Sequence, residues 1–221
     1  MVSASLRGHE PAKEQEAAMT RMSATERRAA LTEAALRVVS REGLAQATTR
    51  AIVAEAGMSL ASFHYAFESR DELIDELIGV VVARERKAIA VDELAAAAEQ
   101  GASLGELLEA GMVRYFEHLR ADPEHEQAML ELTQYALRSP ERHPLAVAQY
   151  ARYVELLVEA LDAAAELTDT TWRLPVAEVA RVLVAFSDGL TITWLVDRDD
   201  AAAARVAAAA ADAVSRMADP R

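Results

Sequence analysis

Cysteine is absent from the 221-residue chain, which excludes disulfides, thiolate metal sites and cysteine nucleophiles together. Glycine and proline are scarce, at 8 and 6 residues, whereas hydrophobic residues make up 52%, much of it alanine. That balance favours long helices over sheet. No uninterrupted apolar run is long enough to span a bilayer, because the alanine-rich stretch 201–211 is broken by Arg205 and alanine is only weakly hydrophobic. No signal peptide is recognisable, and the expectation is a soluble, cytoplasmic protein without a membrane partner. Missing too are a phosphate-cradling glycine loop, a Gly-x-Ser-x-Gly elbow, a His-Glu-x-x-His pair and a triad, so the chain does not read as an enzyme. No cofactor and no metal is expected. His125 lies between Glu124 and Glu126, but adjacent helical residues diverge in direction and cannot close on one ion.

A basic excess is lacking as well, since the net charge is −13. The distribution matters more than the sum. Residues 20–70 carry seven arginines against five glutamates, while residues 71–221 carry 14 Lys+Arg against 28 Asp+Glu. Phosphate contacts depend on cations within about a Debye length, ~8 Å at physiological salt, so a mildly basic patch on an acidic molecule can still bind DNA.

The most informative stretch is Thr48 to Arg70, TTRAIVAEAGMSLASFHYAFESR. Two short apolar-periodic segments flank the turn Ala56-Gly57-Met58-Ser59. Thr48 can cap the first and Ser59 the second, and Gly57 takes a positive φ between them at little cost. This is the pattern of a helix-turn-helix, which presents one short helix to the DNA major groove.

Around it the periodicity predicts an all-α chain of about nine helices. Residues 1–22 are polar, lack a consistent apolar period and read as a disordered arm. A helix from Thr25 carries Leu31, Ala34, Ala35, Val38 and Val39 on one face and ends near Gly43. The two helix-turn-helix segments span about Thr49–Ala56 and Leu60–Phe67. Ser69 then caps a long helix running to about Leu94, with Leu73, Ile74, Leu77 and Val81 on its buried side. Further helices are predicted from Ser103 to Asp122-Pro123, over Glu124–Leu137, Pro144–Leu167, Pro175–Asp197 and Asp200–Met217. No stretch alternates with period 2, and none is expected to be a strand. The division is an arm at 1–22, a DNA-binding domain at 23–70 and a ligand-binding and dimerisation domain at 71–221.

These residues resemble the TetR family of transcriptional regulators: Thr48, Ile52 and Val53 on the second helix, the Ala56–Ser59 turn, and Phe63, Phe67, Ser69 and Arg70 closing the signature. The chain departs from the common pattern at His64, where tyrosine is frequent, at Ala66, where histidine is frequent, and at Leu60, where many members have lysine. The resemblance implies a homodimer on a palindromic operator in double-stranded DNA, released as a repressor by a small hydrophobic effector. The stretch Phe186–Leu195 resembles the family's penultimate, dimerising helix. The last two helices would then pair with their copies as a four-helix bundle, with Asp188, Leu190, Trp194, Arg205 and Val206 at the interface and the alanines of the final helix allowing close approach.

On that reading the recognition helix offers Ser59, Leu60, Ala61, Ser62, His64 and Tyr65 to the groove. Ser62 and Tyr65 suit base edges, and Leu60 or Ala61 a thymine methyl. Phosphates would be met by Thr48, Thr49, Arg50, His64 and Arg70. With no lysine or arginine on the helix, the commonest reading of guanine is missing, and specificity leans on apolar contacts and DNA shape. Candidate pocket residues are Met112, Tyr115, Phe116, Met129, Tyr135, Tyr150, Tyr153 and Phe186, with His118 and Thr133 as polar anchors. Each has an ordinary alternative as core or surface, and Trp194 fits interface or core better than pocket. The competing function is a helical protein-interaction module that does not bind DNA.

Overall fold

The structure, a computed structural model, describes residues 22–84 and 101–221. Apart from Met22, the arm expected at 1–22 lies outside the described residues, as does the part of the long helix expected beyond Arg84. Nine α-helices are present among the described residues: α1 (Ala24–Glu42), α2 (Thr49–Glu55), α3 (Leu60–Ala66), α4 (Arg70–Arg84), α5 (Leu104–Ala121), α6 (Pro123–Leu137), α7 (His143–Leu167), α8 (Val176–Asp197) and α9 (Asp200–Ser215). Contacts divide the chain after Leu77 into two compact units, so the first turns of α4 belong with the N-terminal one.

In the N-terminal unit, α1 opens with a reciprocal cap. Ser23 Oγ accepts from the Glu26 N–H at 3.2 Å while the Ser23 N–H donates to Glu26 Oε2 at 2.8 Å. Its buried stripe is Leu31, Ala34, Ala35, Val38 and Val39, and it stops at Gly43, which takes φ 85° and donates to the Val39 carbonyl at 2.8 Å. At seven residues each, α2 and α3 are too short to persist alone and depend on packing. Ile52 and Val53 from α2, and Phe63, Ala66 and Phe67 from α3 and its C-cap, supply it, all buried. Gly57 sits at φ 65° in the turn between them, where an L side chain would be strained.

The C-terminal unit is a helical bundle. Ser103 and Glu106 repeat the reciprocal cap at the start of α5, and Asp122 caps α6 with Pro123 in its first turn. The core draws Leu107, Met112, Phe116 and Leu119 from α5, Leu161 and Ala164 from α7, Val179, Leu183, Leu190 and Trp194 from α8, and Ala207, Ala210 and Val214 from α9. Four alanines of α9, Ala203, Ala207, Ala210 and Ala211, are thus buried inside the protomer, where their small side chains let the helix lie against α5. Ala201, Ala204 and Ala209 of the same helix stay exposed.

Two further differences from expectation concern strand and hydropathy. Thr170–Trp172 (β1) pairs antiparallel with Ala218–Pro220 (β2), Thr171 opposite Asp219. Three-residue strands show no alternation to detect, and their partners lie far apart in sequence. Meanwhile α8 is, by length and composition alone, long and apolar enough to cross a membrane. One side of it packs into the bundle core, while the other carries exposed Ile192 and Val196, so apolar residues fall on both sides despite Arg181 and Asp188.

Candidate DNA-reading head and effector site

The second helix of the helix-turn-helix is held from behind and open in front. Phe63 and Phe67 pack together with ring centroids 5.7 Å apart and planes tilted by 38°, and both are buried. Leu60 and Tyr65 are 46% and 82% exposed, and Ala61 and His64 are exposed beside them. Large apolar side chains left in water on a helix this short mark a contact surface. Ser59 Oγ caps the helix by accepting from the Ser62 N–H at 3.1 Å, and the two hydroxyls lie 3.1 Å apart. Ser62 is half-buried, so its hydroxyl serves the cap and is less open than the sequence implied. Thr48 caps α2 through the Ala51 N–H at 3.2 Å, and exposed Arg50 follows it.

Most arginines of this unit are engaged internally. Arg28 donates to Glu72 Oε1 and, through Nε, to Glu76 Oε2, both at 2.9 Å, and covers the Phe67 ring at 4.2 Å. The bonds from Glu76 and Glu72 raise its pKa, while the Glu68 N–H and then Arg28 hold the Glu72 carboxyl below its ordinary value. Arg37 and Arg41 bind Glu55 at 2.7 and 3.1 Å. Arg70, expected at a phosphate, instead donates to the carbonyls of Ala47 and Leu44 at 2.6 Å each. Arg50 has no ion pair among the described residues. Sequence reasoning passed over Arg27, whose guanidinium sits 5.8 Å from the Tyr65 ring centroid and which donates to the Met22 carbonyl. The pairing joins residues far apart in sequence, and no local pattern announces it.

In the C-terminal unit the structure gathers several candidate pocket residues into one polar relay. Thr133 Oγ1 lies 2.9 Å from the Met129 carbonyl and 3.0 Å from Gln149 Oε1, and Gln149 Nε2 donates to the Tyr153 hydroxyl at 2.6 Å. The Tyr153 ring meets that of Tyr150 at 5.4 Å and 63°, and the Tyr150 hydroxyl donates to Asp188 Oδ2 at 2.9 Å. Burial and the Asp188 charge push the Tyr150 phenol up to about 12, and burial raises the Asp188 carboxyl against the lowering effect of that bond. Buried Gln149 was missed; its signal is an amide four residues before Tyr153 on one helix face.

Other candidates separate from this group. The Tyr115 hydroxyl bonds Thr191 Oγ1. Met112 Sδ lies 4.0 Å from Ser187 Oγ, Phe116 packs edge-on against Trp194 at 5.7 Å, and Phe186 is partly buried against the same core. Tyr135 lies under the Arg142 guanidinium at 4.9 Å. His118 is exposed and does not line an interior. Of the residues assigned to a dimer interface, Leu190 and Trp194 are 0% and 6% exposed. They face the protomer's own core, and the Trp194 indole donates to Asp200 Oδ1 at 2.9 Å. Val206 packs partly against that core, Asp188 is tied to Tyr150, and Arg205 alone of the five is exposed.

Residues 31–77 match the model of bacterial regulatory proteins of the tetR family, and residues 104–219 match that of the BetI-type transcriptional repressor C-terminal region. The second match covers more than half of the chain. The chain belongs to the TetR family. The nicotine-responsive transcriptional repressor HdnoR of Paenarthrobacter nicotinovorans is 28% identical over 81% of this chain and 89% of its own length. Among solved structures, a proposed transcriptional regulator of Pseudomonas aeruginosa PAO1 is 25% identical with TM-score 0.63, over 91% of this chain and 96% of its own. The multidrug binding protein EbrR, in complex with imidazole, is 26% identical with TM-score 0.56, over 89% and 97%. This TetR protein is a DNA-binding transcriptional repressor. Its family is one of transcriptional regulators.

Proposed function

We propose that two copies of this chain hold a palindromic operator through their α3 helices and let go when a small, hydrophobic effector enters the C-terminal bundle. The observation that carries the reading is the two-sidedness of α3, with Phe63 and Phe67 anchored inward and Leu60, Ala61, His64 and Tyr65 turned to solvent. One short helix reads too few base pairs to find a genomic site. A second copy supplies another reader one helical turn away, ~34–36 Å, or a multiple of it. Residues 23–70 with the first turns of α4 form the DNA-binding domain, and the remainder binds effector and dimerises. The dimer face is the outward side of α8 and α9, where Ile192 and Val196 are 50% and 81% exposed and Arg205 lies in the open. Occupation of the bundle changes the distance between the two α3 helices and so selects against the operator-bound state. HdnoR's response to nicotine and EbrR's multidrug binding support a small-molecule effector. The protein works in the cytoplasm, on its operator.

Selection of bound fragments from random DNA by the purified protein tests this. Recovery of one inverted repeat, protected in footprinting and lost with Tyr65→Ala or Arg50→Ala at unchanged helicity, supports it. A protein that enriches no sequence and protects nothing is an interaction module instead.

A further inference from the structure

Asp188 sits in the middle of α8, a helix otherwise dominated by apolar residues, one turn from buried Val184 and Thr191. It is half-buried and accepts a single hydrogen bond, from Tyr150, at Oδ2. Its other oxygen takes none among the described residues, and no basic side chain faces it there. Several cations of this unit are committed elsewhere: Arg120 to Asp200, Arg152 to Glu155, Arg173 to Asp219 and Arg216 to Asp212. A partly desolvated carboxylate with only a phenol for company is uncompensated, and an incoming positive charge relieves it. The same phenol brings its ring beside the carboxylate, with the Tyr153 ring set against it at 63°. Aromatic faces attract cations and tolerate apolar substituents around them.

We infer that the effector is an organic cation, a protonated amine or quaternary ammonium on an apolar body, with Asp188 as its counter-charge and the Tyr150 and Tyr153 rings as its walls. This rests on the reading that the effector enters this bundle. It adds what that reading leaves open, because a neutral hydrophobic molecule would leave the carboxylate as it stands and an anion would be repelled by it. The Thr133–Gln149–Tyr153 relay holds the Tyr153 ring in place through its hydroxyl, so the walls are set before the ligand arrives.

The test is calorimetric titration of the full-length protein with phenyltrimethylammonium and with its uncharged isostere, tert-butylbenzene. The wild type is expected to prefer the ammonium by about tenfold or more, and Asp188→Asn to abolish that preference. Tyr150→Phe keeps both ring and carboxylate and should retain the preference, which covers the case of an Asn variant that fails to fold. Equal binding of the two probes, or an ammonium affinity untouched by Asp188→Asn, overturns the charge assignment while leaving an apolar effector site in the bundle. Absence of binding by either probe up to about 10 mM overturns the assignment and removes support for that effector site, with operator selection by the head unaffected. An Asp188→Asn protein that sediments as a monomer where the wild type is a dimer overturns it too, because Asp188 then serves the interface.

Discussion

The Arg70 Nε donates to the carbonyl of Ala47 at 2.6 Å, tying the start of α4 to the residue just before the cap of α2. A second bond from the same guanidinium to Leu44 makes Arg70 a clamp across the loop that aims the helix-turn-helix. Arg70→Ala should therefore cost about 1.5–3 kcal/mol in denaturant unfolding of the head, the range for charge-assisted hydrogen bonds. It should weaken all DNA sequences alike. A phosphate-contacting role predicts something different, a fall in the salt dependence of binding by about 0.9 in slope, and salt titration of the variant separates the two.

Arg50 is the contrasting case. It is exposed, and its side chain makes no internal ion pair among the described residues. Arg50→Ala should leave unfolding within about 0.5 kcal/mol of wild type. Operator affinity should fall, and the slope of log K against log salt should shrink by about 0.9.

Tyr65, at 82% exposure, likewise contributes little to the fold. Tyr65→Ala is expected to change stability by no more than about 0.5 kcal/mol while reducing discrimination at its base step by about 1–3 kcal/mol. Phe67→Ala, at a buried position, should do the reverse and unfold the head at a cost of about 3–5 kcal/mol. Thermal melts paired with operator binding distinguish surface from scaffold.

The Tyr150–Asp188 pair sets two pH trends with the same sign. Both folded-state pKa values are raised, so the native state holds protons that the unfolded chain has released. Stability then falls as pH rises through each window: just above the ordinary carboxylate value for Asp188, and from about 10 to about 12 for Tyr150. Asp188→Asn should flatten the acid-side trend and be no less stable than wild type at neutral pH. Tyr150→Phe should flatten the alkaline one. Urea midpoints against pH measure both, and an Asn variant that is less stable at neutral pH contradicts the sign.

The outward faces of α8 and α9 give a fifth test. Replacing Ile192 and Val196 together by glutamate adds charge where exposed apolar side chains now stand and should leave the protomer folded. Sedimentation should then report monomers, and operator affinity should drop with the loss of the second reader. A dimer that survives this change uses another face.

Much of the head was written locally. Caps act over three residues, Gly57 and Gly43 need only their own backbone angles, and the stripe from Leu31 to Val39 follows the helical period. Those features fix helix ends and buried faces without reference to distant partners, so the all-α class, the helix-turn-helix and most helix limits could be read in order along the chain. Partnership could not. Arg70 and Arg50 are alike in the sequence, and only the folded head turns one toward the Ala47 carbonyl and the other to solvent. The apolar period of α8 marked Leu190 and Trp194 as buried but not by what, and the alanine run of α9 did not say which of its members, Ala203, Ala207, Ala210 and Ala211, enter the protomer's own core. Asp188 reads as a charge interrupting an apolar helix until α7 brings Tyr150 to it from 38 positions away. Helix propensity, capping and periodicity are short-range properties that the sequence determines by itself. Which side chain meets which across the bundle depends on helix packing, and only the tertiary structure decides that.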